Sequence, residues 1–210
     1  KLLGSATYKM AKSGKYRYLS EILHLAPFNI GGVNICPNAS PVCASVCLNT
    51  SGRGQQNSVQ KSRLNKKYYF LSDRAKFLKQ LDHEIKLSSA RAKRKKLNYT
   101  IRLNGTSDLP FERYKLDNGL NLMENNPDVQ FIDYTKVKNR FKQKLPKNYS
   151  LTYSQAENNS NDVKELLKTN HNIAVVFRDK LPKKYKGRKV INGDKHDLRH
   201  LDPQKVIVGL

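Results

Sequence analysis

No apolar run in this sequence approaches the roughly 20 residues needed to cross a bilayer. The opening stretch KLLGSATYKMAKSGK lacks both the apolar core and the cleavage site of a signal peptide. These absences predict a cytoplasmic protein with no membrane partner. Acidic residues are also scarce: 17 Asp and Glu face 40 Lys and Arg, a formal net charge of +23. Apolar residues make up only 38% of the chain, and the mean hydropathy is -0.72. Yet apolar runs recur along the whole length, which argues against disorder. A chain of 210 residues suits one buried core, so a single domain over 1–210 is expected. It opens on Lys1 and stops at KVIVGL while still reading as a strand, which suggests that both ends are trimmed.

Cysteine is the third scarcity. All three, Cys36, Cys43 and Cys47, fall in VNICPNASPVCASVCLNT at the spacing C-x6-C-x3-C. A disulfide would leave one thiol over, and disulfides are uncommon inside cells. Inert cysteines would scatter through core strands, whereas these lie among the loop formers Pro37, Asn38, Ser40, Pro41 and Asn49. Metal or cluster ligation is the reading that remains. Structural zinc takes four ligands, commonly in closely spaced pairs, so His24 or a distant group would have to complete the set. A 4Fe–4S cluster on three thiolates would leave one iron open to water, another ligand or a substrate.

The charge excess goes well beyond the net charge of about 2–8 that keeps a small domain soluble, and so points to a nucleic-acid partner. A solvated lysine-rich surface is the alternative. The cations concentrate at Lys61–Lys96, Lys136–Lys147 and Lys180–Lys189. Within the first group, Val59, Arg63, Lys66 and Phe70 fit one helix, and Ser72 reads as the N-cap of a second. In that second helix Ala75, Leu78, Leu81 or Asp82, Ile85 and Ala92 form the inward stripe. Lys76, Lys79, Lys86 and Lys93 are then left outside as candidate nucleic-acid contacts. The run Arg91–Lys96 would grip a phosphate backbone or complement a helix C-terminus. Tyr8, Tyr16, Tyr18, Tyr68 and Tyr69, set among basic residues, are candidates for base stacking or for packing.

YLSEILHLAP (18–27) reads as a strand leading into the cysteine loop. From Leu97, strands NYTIRLNG, VQFIDYT, YSLTYS, NIAVVF and KVIVGL alternate with helices expected at 111–124, 137–145 and 163–168. The alternation predicts α/β architecture. The form expected is an open or partial (β/α) barrel of about six mostly parallel strands with outer helices, a doubly wound sheet being the alternative. The chain divides into an N-terminal extension (1–17), a Cys/Gly-rich loop (27–57), basic helices (58–96) and βα repeats (97–210).

Such folds bind ligands at the carboxyl ends of their strands. Asn104, Asp108, Asp133, Glu157, Asp194 and His196 are the catalytic or small-ligand candidates there, in the company of Tyr134, Thr135, Ser154 and Asn158. Arg102 and Arg53 are anion-binding candidates, Arg53 because SGRGQQN sets it between glycines at a helix start. Asp194, His196, Asp197, His200 and Asp202 in GDKHDLRHLD are also suitable ligand types for the divalent metal of a nuclease.

A three-cysteine loop after the first strand of a partial barrel resembles radical S-adenosylmethionine enzymes, although their usual spacing is C-x3-C-x2-C. A closer resemblance runs through LAPFNIGGVNICPNASPVCASVCLNTSGRG, IRLNGTSDLPFER, VQFIDYTK, LTYSQAENN, NIAVVF and VINGDKHDLRHLDPQKVIVGL. These blocks, in this order, are similar to the phage gene product 88-like family over Tyr18 to Leu210. The resemblance implies a bacteriophage source, and so the cytoplasm of an infected bacterium, without implying an activity. Three functions stay open: an iron–sulfur protein whose open iron takes a small molecule such as S-adenosylmethionine, a DNA- or RNA-binding module with a structural or redox-sensing metal centre, and a divalent-metal nuclease.

Overall fold

Segments rich in β-branched and aromatic residues, bounded by polar turns, become strands. The computed structural model describes residues 1–5 and 12–210; Tyr8 lies outside them. Among these described residues there are nine strands: β1 (Leu3–Ser5), β2 (Tyr18–Leu23), β3 (Asn98–Arg102), β4 (Gln130–Thr135), β5 (Tyr149–Ser154), β6 (Ile173–Val175), β7 (Lys184–Tyr185), β8 (Arg188–Asn192) and β9 (Ile207–Gly209). They form one sheet in the order β1-β2-β3-β4-β5-β6-β9-β8-β7. Neighbours from β2 to β8 in that order are parallel, and only the edge strands β1 and β7 pair antiparallel. The fold is α/β with a mostly parallel sheet that does not close.

Six strands was therefore too few. β7 and part of β8 lie in the lysine-rich stretch near residues 180–189, where charge masks the strand pattern. β1 lies in the stretch read as an extension: Leu2 and Leu3 are buried, and the Glu84 carboxylate accepts both of their backbone N–H groups at 2.8–2.9 Å.

Among the described residues five α-helices accompany the sheet: α1 (Pro41–Ser45), α2 (Asn57–Ser72), α3 (Arg74–Arg94), α4 (Leu122–Asn125) and α5 (Ser160–Leu166). The cap of α3 is Asp73, not Ser72; its carboxylate accepts from Lys76 N at 3.0 Å and complements the helix dipole. α3 buries Phe77, Leu78, Leu81, Asp82, Ile85, Ser88 and Ala92, while Ala75 in its first turn is exposed. The helix expected over 111–124 is broken in two. Asn118-Gly119 makes a turn, with Gly119 at φ +77°, and Asn121 restarts the chain through a capping box with Glu124. Over 137–145 only a 3-10 turn, Lys138–Lys142, forms.

Side chains alternate between the two faces of the sheet. On one face Tyr99, Ile101, Phe131, Tyr149 and Leu151 meet Phe70, Phe77, Phe111 and Met123 from the helices and turns. Tyr153, Ile173, Val175 and Ile207 continue that face against Val163 and Leu166 of α5. The other face presents Ser20 paired with Thr100, Ile22 with Arg102, and Tyr134 with Thr152. Two 3-10 turns, Lys12–Tyr16 and Arg199–Leu201, pack against strands of this second face.

An ionic hub lies within the helix-covered layer. Arg140, 1% exposed, donates to both oxygens of Glu112 at 2.9 and 2.8 Å, to Asp108 Oδ1 at 2.9 Å and to the Tyr149 hydroxyl at 2.6 Å. Removing one partner of such a group strands the others in low dielectric. Arg140→Ala is expected to lose about 3–5 kcal/mol of stability, seen as a lower urea midpoint at an unchanged m-value. Arg140→Lys, which keeps the charge but not the planar fork, should recover only part of it.

Candidate functional site

The cysteine loop leaves β2 and crosses the carboxyl ends of β3, β4 and β5. Gly31 starts it at φ +81°, where a Cβ would stand 2.6 Å from Leu64 Cδ1. Four contacts fasten it to those strand ends. Asp108 N donates to Ile35 O at 3.0 Å, and Asn38 Nδ2 donates to Lys136 O at 2.9 Å. Ser40 Oγ donates to Glu157 Oε2 at 2.8 Å, and Val42 N donates to Glu157 Oε1 at 3.2 Å. Ser40 also caps α1 by accepting from Cys43 N at 3.1 Å, with Pro41 opening the helix. Hydrogen bonds from the Glu157 backbone and from Ser40 hold the Glu157 carboxyl below its usual range.

All three cysteines are half-buried and unbridged. Cys36 Sγ lies 3.6 Å from Thr106 O; burial pushes its thiol up to about 11, with Asp108, Cys47 and Cys43 adding to the rise. Buried cations underlie the loop. Lys67, with no exposure, donates to the carbonyls of Phe28 and Ile30, and Arg63 donates to Asn49 Oδ1 at 2.9 Å. Burial lowers the pKa of both, while Cys47 works against that lowering at Arg63 and Cys36 does so at Lys67. Each cation therefore feels a thiol. His24 Nδ1 lies 3.3 Å from Thr106 Oγ1; burial and then Arg63, Arg102 and Lys66 hold its ring down to about 3, so it is neutral at pH 7.

Among the described residues, no three His, Cys, Asp or Glu side chains form a group that could hold a metal ion. One tetrahedral ion bonded at about 2.3 Å would draw its sulfurs to within about 3.8 Å of each other. A four-iron cluster binds each thiolate through a different iron and holds them farther apart. The loop holds three thiols of the type that such a cluster uses, one short of its usual four.

The other predicted residues separate into distinct settings. Asn104 and Asp133 bond each other: Asp133 Oδ1 accepts from Asn104 N at 2.7 Å, and Oδ2 accepts from Asn104 Nδ2 at 3.1 Å and from the Tyr149 hydroxyl at 3.0 Å. Asp133 faces the helix-covered layer. Asp108, on Arg140 and Lys136 N, braces the loop as Glu157 does. Arg102 donates to Asn104 O at 3.2 Å, pairs with Asp197 at 3.4 Å and lies 4.7 Å over the Tyr134 ring.

Farther out, Arg53 is exposed in a 3-10 turn, Gly52–Gln55. Asp194 is exposed, and His196 Nδ1 accepts from Leu198 N at 3.2 Å. Lys76, Lys79, Lys86 and Lys93 are all exposed on α3, although Lys86 pairs with Asp82 at 2.7 Å and Lys93 with Asp128 at 2.9 Å. Two shallow clefts, of about 290 and 270 Å³, lie before β5 and before β4, away from the cysteines. Sequence reasoning missed Lys67, Glu112 and Arg140 altogether. Arg63 and Lys66 it had placed on one helix with Val59 and Phe70; Arg63 is buried and Lys66 half-buried.

Burial pushes the Asp133 carboxyl up to about 6, against the pull of Arg140 and Asn104. The folded chain then binds this proton more tightly than the unfolded chain, whose aspartates titrate near 3.9. The stability contributed by this group is full below pH 4 and is lost as pH rises through about 6. Asp133→Asn should remove that slope and cost about 1–3 kcal/mol at pH 7, because its amide would face donors from Asn104 and Tyr149. Urea unfolding between pH 4.5 and 7.5 checks both; an unchanged slope in the variant would assign the titration to another group.

The family model for gene product 88 matches residues 1–210, and the chain belongs to that family. No curated protein and no solved structure matches it.

Proposed function

We propose that this member of the gene product 88 family is a bacteriophage iron–sulfur protein in which Cys36, Cys43 and Cys47 hold a 4Fe–4S cluster on the strand-end rim of a partial (β/α) barrel. One observation carries the reading: the chain's only three thiols share one loop, which two buried cations, Arg63 and Lys67, hold through Asn49 and the carbonyls of Phe28 and Ile30. Burial holds the Cys36 thiol up to about 11, so iron binding itself would have to draw off that proton. Strand order supports the partial barrel. From β2 to β6 the chain steps one strand at a time in one direction, whereas a doubly wound sheet reverses.

When bound, such a cluster supplies electron transfer and, on its fourth iron, an open position for a small molecule such as S-adenosylmethionine. The protein's own residues do the positioning. Asp108 and Glu157 brace the loop, the Asn104–Asp133 pair holds the ends of β3 and β4, and Arg102 offers a guanidinium beside them. Cys43→Ala should lose most of the iron and sulfide of anaerobically purified protein, together with thermal stability, because metal binding and folding are coupled. Full iron content in that variant would remove Cys43 from the ligand set. Release of deoxyadenosine from reduced protein and S-adenosylmethionine would identify radical chemistry.

A second reading, nucleic-acid binding, rests on the exposed lysines of α3 and the +23 charge. Among the described residues Lys76 and Lys79 carry no ion pair, and Tyr16 and Tyr68 are each more than 40% exposed. Affinity for DNA or RNA should fall with salt at a log–log slope near -5 if about six phosphates are neutralised. Reversing Lys76, Lys79, Lys86 and Lys93 to Glu should flatten that slope and leave the iron content unchanged. Equal binding by parent and variant at every salt concentration would return the charge to a solvated surface.

A further inference from the structure

Single exposed apolar side chains are ordinary on a protein surface, whereas a cluster of them marks an interaction site. Among the described residues eleven large apolar side chains are exposed, and five of them, Ile30, Val33, Val42, Val46 and Leu48, fall in the cysteine loop. A sixth, Tyr68, stands against it: a Cβ on Gly31 would lie 3.1 Å from the Tyr68 ring and hydroxyl. Two contacts from α2 set these groups side by side. Arg63 Nη1 donates to Leu48 O at 3.4 Å and Lys67 Nζ donates to Ile30 O, and positions 63 and 67 are one helical turn, about 6 Å, apart. Val42 and Val46 are one turn apart at α1, where Val46 N donates to Val42 O at 3.1 Å. They are 54% and 70% exposed, and each immediately precedes a cysteine. Apolar surface therefore borders the thiols.

The charge around this patch has one sign. From Ile22 to Ser72 the chain has no Asp or Glu, and Arg53 and Lys61 are exposed there. The carboxylates that reach the loop from later segments are already engaged, Asp108 by Arg140 and Lys136 N, and Glu157 by Ser40 and Val42 N. A second copy is thereby disfavoured as the occupant, because a twofold interface sets the same patch against itself, cation against cation, in chains of +23 each. Nucleic acid is disfavoured too, since Val, Ile and Leu offer no ring on which a base can stack. A protein with an apolar centre and an acidic rim fits. The six side chains expose on the order of a few hundred Å², the low end of interface sizes, where electron-transfer encounters lie.

We propose that the cysteine loop is the docking surface for a small acidic electron-carrier protein, whose apolar patch covers Val42, Val46 and Leu48 and whose carboxylates meet Arg53 and Lys61. The class of carrier rests on the iron–sulfur reading. One electron leaves the reduced centre of the carrier, which is oxidised, and enters the cluster, which is reduced.

Anaerobically purified full chain, assayed for iron and sulfide, is titrated by calorimetry with an acidic 2Fe–2S ferredoxin and with an acidic flavodoxin, and oxidation of each reduced carrier by the chain is followed by absorbance. Saturable binding of at least one carrier, weakening with salt and accompanied by its oxidation, is the expected result. Val46→Ser combined with Leu48→Ser should weaken that affinity by about tenfold or more, with iron content and thermal midpoint unchanged because both positions are exposed. Reversing Lys76, Lys79, Lys86 and Lys93 to Glu should leave it unchanged. Loss of binding in that variant, or parental affinity in the double serine variant, would overturn the proposal by moving the contact off the loop. No binding of either carrier at low salt would overturn it as well, and so would sedimentation with vesicles of phosphatidylserine and phosphatidylcholine in place of carrier binding, which would assign the patch to a lipid surface. Iron and sulfide missing from a parent chain that still binds a carrier would overturn the electron transfer and the cluster reading together, while keeping the docking surface.

Discussion

Arg140 joins parts of the chain that are far apart in sequence, and the geometry of the cysteine rim descends from it. Its guanidinium reaches Asp108 after β3, Glu112 in the next turn and Tyr149 at the start of β5. Tyr149 passes the connection to Asp133 on β4, and Asp133 passes it to Asn104. Asp108 carries it outward: one oxygen takes Lys136 N, and its backbone N–H takes Ile35 O, one residue before the first cysteine. Three strand ends and the loop thus share one cation. A buried ion pair is weak grounds for stability, because desolvation offsets most of the attraction. What it does well is fix position, since any displacement leaves a charge unpaired in low dielectric. The same arithmetic explains Asp133: one guanidinium serves Asp108 and Glu112 directly, and the third carboxyl, deepest of all, holds its proton more tightly.

Net charge overstates the surface of this protein. Arg63, Lys67, Arg140, Arg188 and Arg199 are buried, and each has interior work. Arg188 donates to the carbonyls of Leu166, Leu167, Thr169 and His171, which closes the end of α5. Lys67 and Arg63 hold loop carbonyls and an asparagine in the segment that carries the thiols. Buried cations thus serve as struts for the loop that carries the three cysteines.

The parallel strands were legible because apolar and β-branched runs with turn residues at their ends survive any tertiary context: β2 to β6 and β9 all fall in stretches that read as strands. The cysteine loop was legible for the opposite reason, since Pro, Asn and Ser around the thiols forbid regular structure. β7 and β8 were not, because lysines flank Val190 and Ile191 and the strand pairs at a sheet edge. Two of the helices expected after β3 were overcalled: Asn118-Gly119 turns the chain inside the first, and over 137–145 only a 3-10 turn forms. Buried cations are the hardest case. Lys67 and Lys66 differ by one position on α2, and both reach backbone carbonyls, Lys67 those of Phe28 and Ile30 and Lys66 that of Leu2.

The two faces of the sheet obey different rules. The helix-covered face follows the usual one, with every member of its charged hub hydrogen-bonded. The second face is lined with hydroxyls, and Ser20 Oγ and Thr100 Oγ1 have no hydrogen-bond partner among the described residues. Arg102 stands between the two regions. Its Nε reaches Asn104 O at the cysteine rim, its Nη1 pairs with Asp197 in the segment that covers the second face, and its plane lies over Tyr134. Tyr134 returns a hydroxyl hydrogen bond to Asp197 at 2.7 Å. A shift of the covering segment would therefore pull on the strand end that positions Thr106, the residue whose carbonyl lies against Cys36 and whose hydroxyl lies against His24. The thiol loop and the polar layer are in this way two ends of one set of contacts, joined through a single arginine.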